Sequence, residues 1–130
     1  MIVLDTQCWI WWVMGNNTRL SNRQVRTISN HESDQIGVSA ISCWEVAKLV
    51  ELRKFQLPVE VTEWVRAALQ YPGISLLELT PEIAIESTRL PGSFHRDPAD
   101  QIIVATARIF DCPLLTTDER IRSYPHVVTV

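Results

Sequence analysis

The sequence predicts an α/β domain, a three-layer α/β/α sandwich around a mainly parallel sheet. Short apolar runs alternate with amphipathic stretches along the whole chain. Those runs are continuously apolar, the pattern of strands covered on both faces. The 130 residues make a single domain at roughly 150 residues per domain, and no repeat, low-complexity stretch or internal boundary divides them.

Ile2-Val3-Leu4 reads as a buried strand ended by Asp5, and residues 8–14 as a short helix stopped by Gly15-Asn16-Asn17. A polar helix follows from Leu20-Ser21 to about Asn30. Residues 35–39 form the second strand, and residues 41–54 a helix with apolar residues at helical spacing. Beyond the break at Pro58, residues 59–70 make an amphipathic helix with Val61, Trp64, Val65 and Ala68 on one side. Residues 74–79 are the third strand. Thr80-Pro81-Glu82 caps a helix over 82–90, and Pro91-Gly92 opens a loop to Arg96. Asp97-Pro98 starts a long helix ending near Phe110. Residues 113–116 form the fourth strand, 118–123 a short helix and 127–130 a last strand. Trp44 and Trp64 fall on apolar helix faces and are expected in the core.

Composition narrows the function classes. Hydrophobic residues at 46% and charged residues at 21% are ordinary for a globular domain and exclude disorder or a fibre. Twelve Lys and Arg against 15 Asp and Glu give a net charge of −3, which excludes a basic nucleic-acid coat but not a local basic patch. Cys8, Cys43 and Cys112 form no CxxC pair and no disulfide framework, so they read as buried thiols in a reducing compartment. The first residues carry no secretory signal, and the apolar run over 8–14 is far short of the ~20 residues a membrane span needs. A cytoplasmic protein with no membrane partner is expected.

In open parallel sheets, sites form beyond the carboxyl ends of the strands. Asp5 closes the first strand, Glu45 lies early in the helix after the second, Asp100 opens the long helix, and Asp118 follows the fourth strand. Each acid also has a capping role open to it: Asp5 and Asp118 as N-caps, Asp100 at the third helical position after Asp97, and Ser42 to Glu45 as a capping box. Their shared position favours a site. Two carboxylates ~5 Å apart repel by roughly 3 kcal/mol at an effective dielectric near 20, so a group of four needs a cation. Hard oxygens without imidazole or thiolate suit Mg²⁺ or Mn²⁺ rather than zinc. His31, His95 and His126 are not spaced as ligands. A metal held this way activates water against a phosphodiester. No GxxxxGK[ST] or GxGxxG loop is present, Asp5-Thr6-Gln7 lacks a second Asp for an aspartyl phosphatase, and no nucleophile motif supports acyl transfer.

Six segments then stand together: Ile2-Val3-Leu4-Asp5-Thr6, Val38-Ser39-Ala40-Ile41-Ser42-Cys43-Trp44-Glu45-Val46-Ala47-Lys48-Leu49, Leu79-Thr80-Pro81-Glu82-Ile83-Ala84, His95-Arg96-Asp97-Pro98-Ala99-Asp100, Ile103-Val104-Ala105-Thr106-Ala107 and Leu115-Thr116-Thr117-Asp118. In this order, across essentially the whole chain, they resemble a PIN domain, specifically the VapC-type toxins of bacterial toxin–antitoxin pairs. The resemblance implies an endoribonuclease that uses Mg²⁺, with Mn²⁺ as an alternative, and metal-activated water attacking RNA in line. RNA is the implied substrate, tRNA among the targets, and the cognate antitoxin the implied partner of a homodimer. By position, Asp5 and Asp100 are the direct metal ligands, Glu45 completes the acidic pocket, and Asp118 is the fourth catalytic acid. Thr6 and Thr117 contact the metal shell or the substrate. Gln101 departs from the pattern, since many relatives carry Arg there, and this alters phosphate contact or pocket charge.

Lys48 and Arg96 are the expected phosphate contacts, and Arg19, Arg23 and Arg26 make a small basic stripe at helical spacing. Trp9, Trp11 and Trp12 cannot share one helix side, so Trp11 or Trp12 is expected to anchor a partner helix. The alternative to the enzyme is a catalytically silent PIN-like module that binds protein or RNA. The two separate on whether the four acids assemble, because a silent module has no use for carboxylates that repel one another.

Overall fold

Ile2, Val3 and Leu4 are wholly inaccessible to solvent or nearly so, and they divide between two cores. The computed structural model describes residues 1–130. Four parallel strands, β1 (Ile2–Leu4), β2 (Ile36–Ser39), β3 (Ile74–Leu77) and β4 (Leu114–Leu115), lie in the order β3-β2-β1-β4. Seven helices cover them: α1 (Thr6–Val13), α2 (Asn22–His31), α3 (Ala40–Glu51), α4 (Val61–Ala68), α5 (Pro81–Ser87), α6 (Pro98–Ile109) and α7 (Glu119–Arg122). On one face Ile2, Leu4, Ile36 and Val38 pack with Trp9, Ile28, Val46 and Trp64. On the other, Val3, Leu77 and Leu114 pack with Ile103, Val104, Ala107 and Ile121. The α/β/α sandwich expected from the sequence is therefore present, with helices on both faces of an all-parallel sheet.

Strand order positions the site. The chain steps outward from β1 to β2 to β3, then crosses back to place β4 on the other side of β1. That reversal falls between β1 and β4, and parallel sheets place their sites beyond the carboxyl ends of the strands at such a point. Asp5 and Asp118 stand there, each capping the helix that follows its strand.

Several boundaries shift, each for a local reason. Asp5 caps α1 through the Thr6 amide, so the helix begins at Thr6 rather than residue 8. Helix α3 ends at Glu51 rather than residue 54 because Arg53 takes a left-handed backbone (φ 56°), with the Lys54 amide bonding the Leu49 carbonyl in a Schellman-type closure. Residues 127–130 run beside β4 through a single bridge, Leu114 to Thr129, and not as a full strand. Ser39, and not Ser42, caps α3, so Ser42 and Glu45 form no capping box. Trp44 is 55% exposed, contrary to the core expectation, because α3 turns Ser42 and Val46 inward. Trp64 is buried as expected, edge-on to Trp9. Cys8 is buried, whereas Cys43 and Cys112 are only half-buried; none forms a disulfide. No helix is long and apolar enough to cross a membrane.

Candidate active site

The four acids come from distant parts of the chain and are joined by one run of hydrogen bonds and ion pairs. Asp5 Oδ1 accepts from the Thr6 amide at 2.8 Å, and its Oδ2 accepts from Thr116 Oγ1 at 2.7 Å. Thr6 Oγ1 donates to Glu45 Oε1 at 2.5 Å and meets Ser42 Oγ at 2.8 Å. Thr116 Oγ1 also accepts the Asp118 amide at 3.0 Å. Arg120 Nη2 lies 3.1 Å from Asp118 Oδ2 and 3.6 Å from Asp100 Oδ2, which closes the run. His95 Nε2 is 2.7 Å from the same Asp100 oxygen.

Burial sets the charge state. Desolvation pushes the Asp5 carboxyl up to about 6, with Asp100 and Asp118 adding repulsion and the Thr116 bond opposing it. The same cause lifts Glu45 to about 7, against the Thr6 bond and with repulsion from Asp5 and Asp100. Asp100 is raised by burial, opposed by its bond to His95. Asp118 goes the other way, held below the usual carboxylate range chiefly by Arg120. Cys8, buried beside Asp5, has its thiol pushed up to about 12 and stays protonated.

The donor set fits a hard divalent ion, since it offers several carboxylate oxygens whose charge is poorly solvated and mutually repelling. In these side-chain positions no three His, Cys, Asp or Glu residues converge closely enough to share one ion. Asp5 is drawn to Thr116, Glu45 to Thr6, and Asp100 to His95 and Arg120. Closing the acids on an ion therefore means exchanging some of these bonds.

Thr6 is buried and bonded to Glu45. Thr117 is exposed. Lys48 bonds Glu51 at 2.6 Å, and Arg96 is exposed in the loop before α6. Trp11 and Trp12 are half-buried against the first core, with the Arg19 guanidinium 5.7 Å from the Trp11 ring centre. Gln101 donates to the His95 carbonyl at 3.1 Å and so ties α6 to the loop that carries His95.

Three participants escaped the sequence reading: His95, Thr116 and Arg120. His95 sits five residues before Asp100, a spacing that becomes a contact only because the loop folds back onto the start of α6. A concavity of about 660 Å³ lined by Arg108, Asp111, Cys112, Pro113 and His126 lies elsewhere, at the amino end of β4. Its Arg108 is already engaged by Glu86 and the His126 carbonyl.

The PIN domain family matches residues 2–127. The chain is a PIN domain. It is 34% identical over 125 residues to Ribonuclease VapC22 of Mycobacterium tuberculosis (strain ATCC 25618 / H37Rv), an alignment covering 96% of this chain and 92% of that one. Among solved structures, this PIN domain is similar to VapBC2 from Rickettsia felis bound to a DNA fragment from their promoter (TM-score 0.69, 14% identity, 100% and 98% of the two chains covered). It is also similar to FitAcB from Neisseria gonorrhoeae (TM-score 0.64, 20% identity, 99% and 96% covered). At those identities the likeness speaks for the fold, while the alignment to the ribonuclease places this PIN domain with the VapC type.

Proposed function

We propose that this PIN domain is an endoribonuclease dependent on Mg²⁺ or Mn²⁺, the toxin of a toxin–antitoxin pair. The observation that carries the reading is the joining of Asp5, Glu45, Asp100 and Asp118 by one run of hydrogen bonds and ion pairs beyond the carboxyl ends of β1 and β4. Structural capping accounts for Asp5 and Asp118 but not for Asp100, whose side chain caps nothing, nor for Glu45 in the second turn of α3. The 34% identity to a protein named as a ribonuclease supports the same reading.

When bound, a divalent ion supplies Lewis-acid activation of water and of the scissile phosphate. Asp5 and Asp100 hold it, with Glu45 and Asp118 completing the negative shell. Thr116 and Thr6 fix the Asp5 and Glu45 carboxylates through their hydroxyls and act as positioning residues. Thr117 and Arg96, both exposed, take RNA phosphates, and Lys48 joins them by leaving Glu51. With a net charge of −3, RNA is held weakly and with strong salt dependence. The cognate antitoxin and a second copy of the chain are the proposed protein partners, with Trp11 and Trp12 as contacts for the former. The VapBC and FitAB complexes among similar folds support the antitoxin.

Total RNA incubated with purified protein and Mg²⁺, or with Mn²⁺, tests the reading. Cleavage that disappears in EDTA and in Asp5→Ala is the expected result. Cutting unaffected by the substitution identifies a contaminant. Absence of cutting by a folded, metal-binding wild type across total RNA and isolated tRNA overturns the enzyme in favour of a silent binding module.

A further inference from the structure

We propose that Arg120 is a built-in counter-cation of the acidic site, seated on Asp100 and Asp118 in the ion-free protein and displaced when a divalent ion binds. The inference rests on the metal-dependent reading above and assigns Arg120 a role in it.

The guanidinium grips Asp118 with two nitrogens, Nε at 3.4 Å from Oδ1 and Nη2 at 3.1 Å from Oδ2, while Nη2 also faces Asp100 Oδ2 at 3.6 Å. Those two carboxylates are assigned to the metal. A single cation facing both carboxylates offsets the repulsion that an ion would otherwise offset. The geometry is set locally: the Arg120 amide bonds Asp118 Oδ1 at 2.8 Å, so the start of α7 returns the side chain toward the acids. Arg120 is also free to leave. Its side chain is 61% exposed, in contrast to His95, which is 19% exposed and holds the same Asp100 oxygen. Exposed ion pairs of this kind are weakly held because water screens them, so a divalent ion competes with Arg120 for the same carboxylates. Nearby cations do not duplicate the arrangement: Lys48 is held by Glu51, Arg122 by Glu119 and the Thr116 carbonyl, and Arg96 forms no ion pair with the four acids.

Calorimetric titration of Mn²⁺ without RNA tests the proposal on wild type, Arg120→Gln and Arg89→Gln. The last removes an equal charge from a site paired only with Glu86. Arg120→Gln is expected to bind Mn²⁺ about fivefold more tightly, with Arg89→Gln unchanged. Thermal melting adds a second sign. In EDTA Arg120→Gln melts below wild type because the acids lose their counter-charge, whereas in saturating Mn²⁺ that gap closes or reverses. Equal or weaker Mn²⁺ binding by Arg120→Gln overturns the role of Arg120 alone. Absence of Mn²⁺ binding in all three proteins overturns the metal reading and the inference with it.

Discussion

Each oxygen of Asp5 is committed, one to the cap of α1 and one to Thr116, so substitutions there separate charge from structure. Asp5→Asn keeps an acceptor for the Thr6 amide while removing the buried charge. It is expected to lose cleavage yet melt at or above the wild-type temperature in EDTA. Asp5→Ala loses the cap as well and is expected to cost about 1 kcal/mol in denaturant unfolding. Thr116→Val leaves Asp5 Oδ2 and the Asp118 amide without their shared hydroxyl, at a cost of about 1–3 kcal/mol. The meeting of the acids was legible in the sequence because Asp5 and Asp118 follow strands and Glu45 and Asp100 lie near helix starts. His95, Thr116 and Arg120 were not, because a partner's identity depends on rotamers and loop return. Thr116 reads as one more strand residue until β4 pairs with β1.

Helix starts were legible where a cap announces them, as with Thr80-Pro81 and Asp97-Pro98. Helix ends were legible at α6, which closes at Phe110 as expected, but not at α3. No Gly marks the close of α3, since the left-handed position falls to Arg53. Arg53→Gly removes that backbone cost and is expected to raise stability by about 1 kcal/mol, read from the urea midpoint. In β2 the opposite holds. A Cβ on Gly37 would meet Leu77 Cδ1 at 2.5 Å and the Ile2 carbonyl at 3.4 Å. Gly37→Ala is therefore expected to destabilise by about 1–3 kcal/mol, because the third strand's one fully inward leucine has to move. The length of the sheet was over-read at its last element, where apolar composition over 127–130 suggested a strand and only one bridge forms.

For the molecule as a whole, the class and layering followed from pattern alone, because continuous apolar strands demand cover on both faces. Stability against pH follows from the site. Unfolded carboxyls ionise near pH 4, whereas Asp5 and Glu45 keep their protons to about 6 and about 7 in the folded state. Between those limits the folded state binds more protons than the unfolded one. Stability in EDTA is therefore expected to fall as pH rises from about 4 and to level off above about 7, with Mn²⁺ restoring it at the alkaline end. Melting curves at pH 5 and pH 8, with and without Mn²⁺, check the sign; a rise with pH in EDTA would contradict it. The bond from Thr116 to Asp5 spans 111 positions, and that span bears on biosynthesis. During synthesis Asp5 leaves the ribosome 113 positions ahead of Asp118. Pairing β4 against β1 must also await the crossover through α5 and α6, a distant contact of the kind that slows folding. The four acids are therefore joined only once residue 118 has been made and β4 has docked on β1.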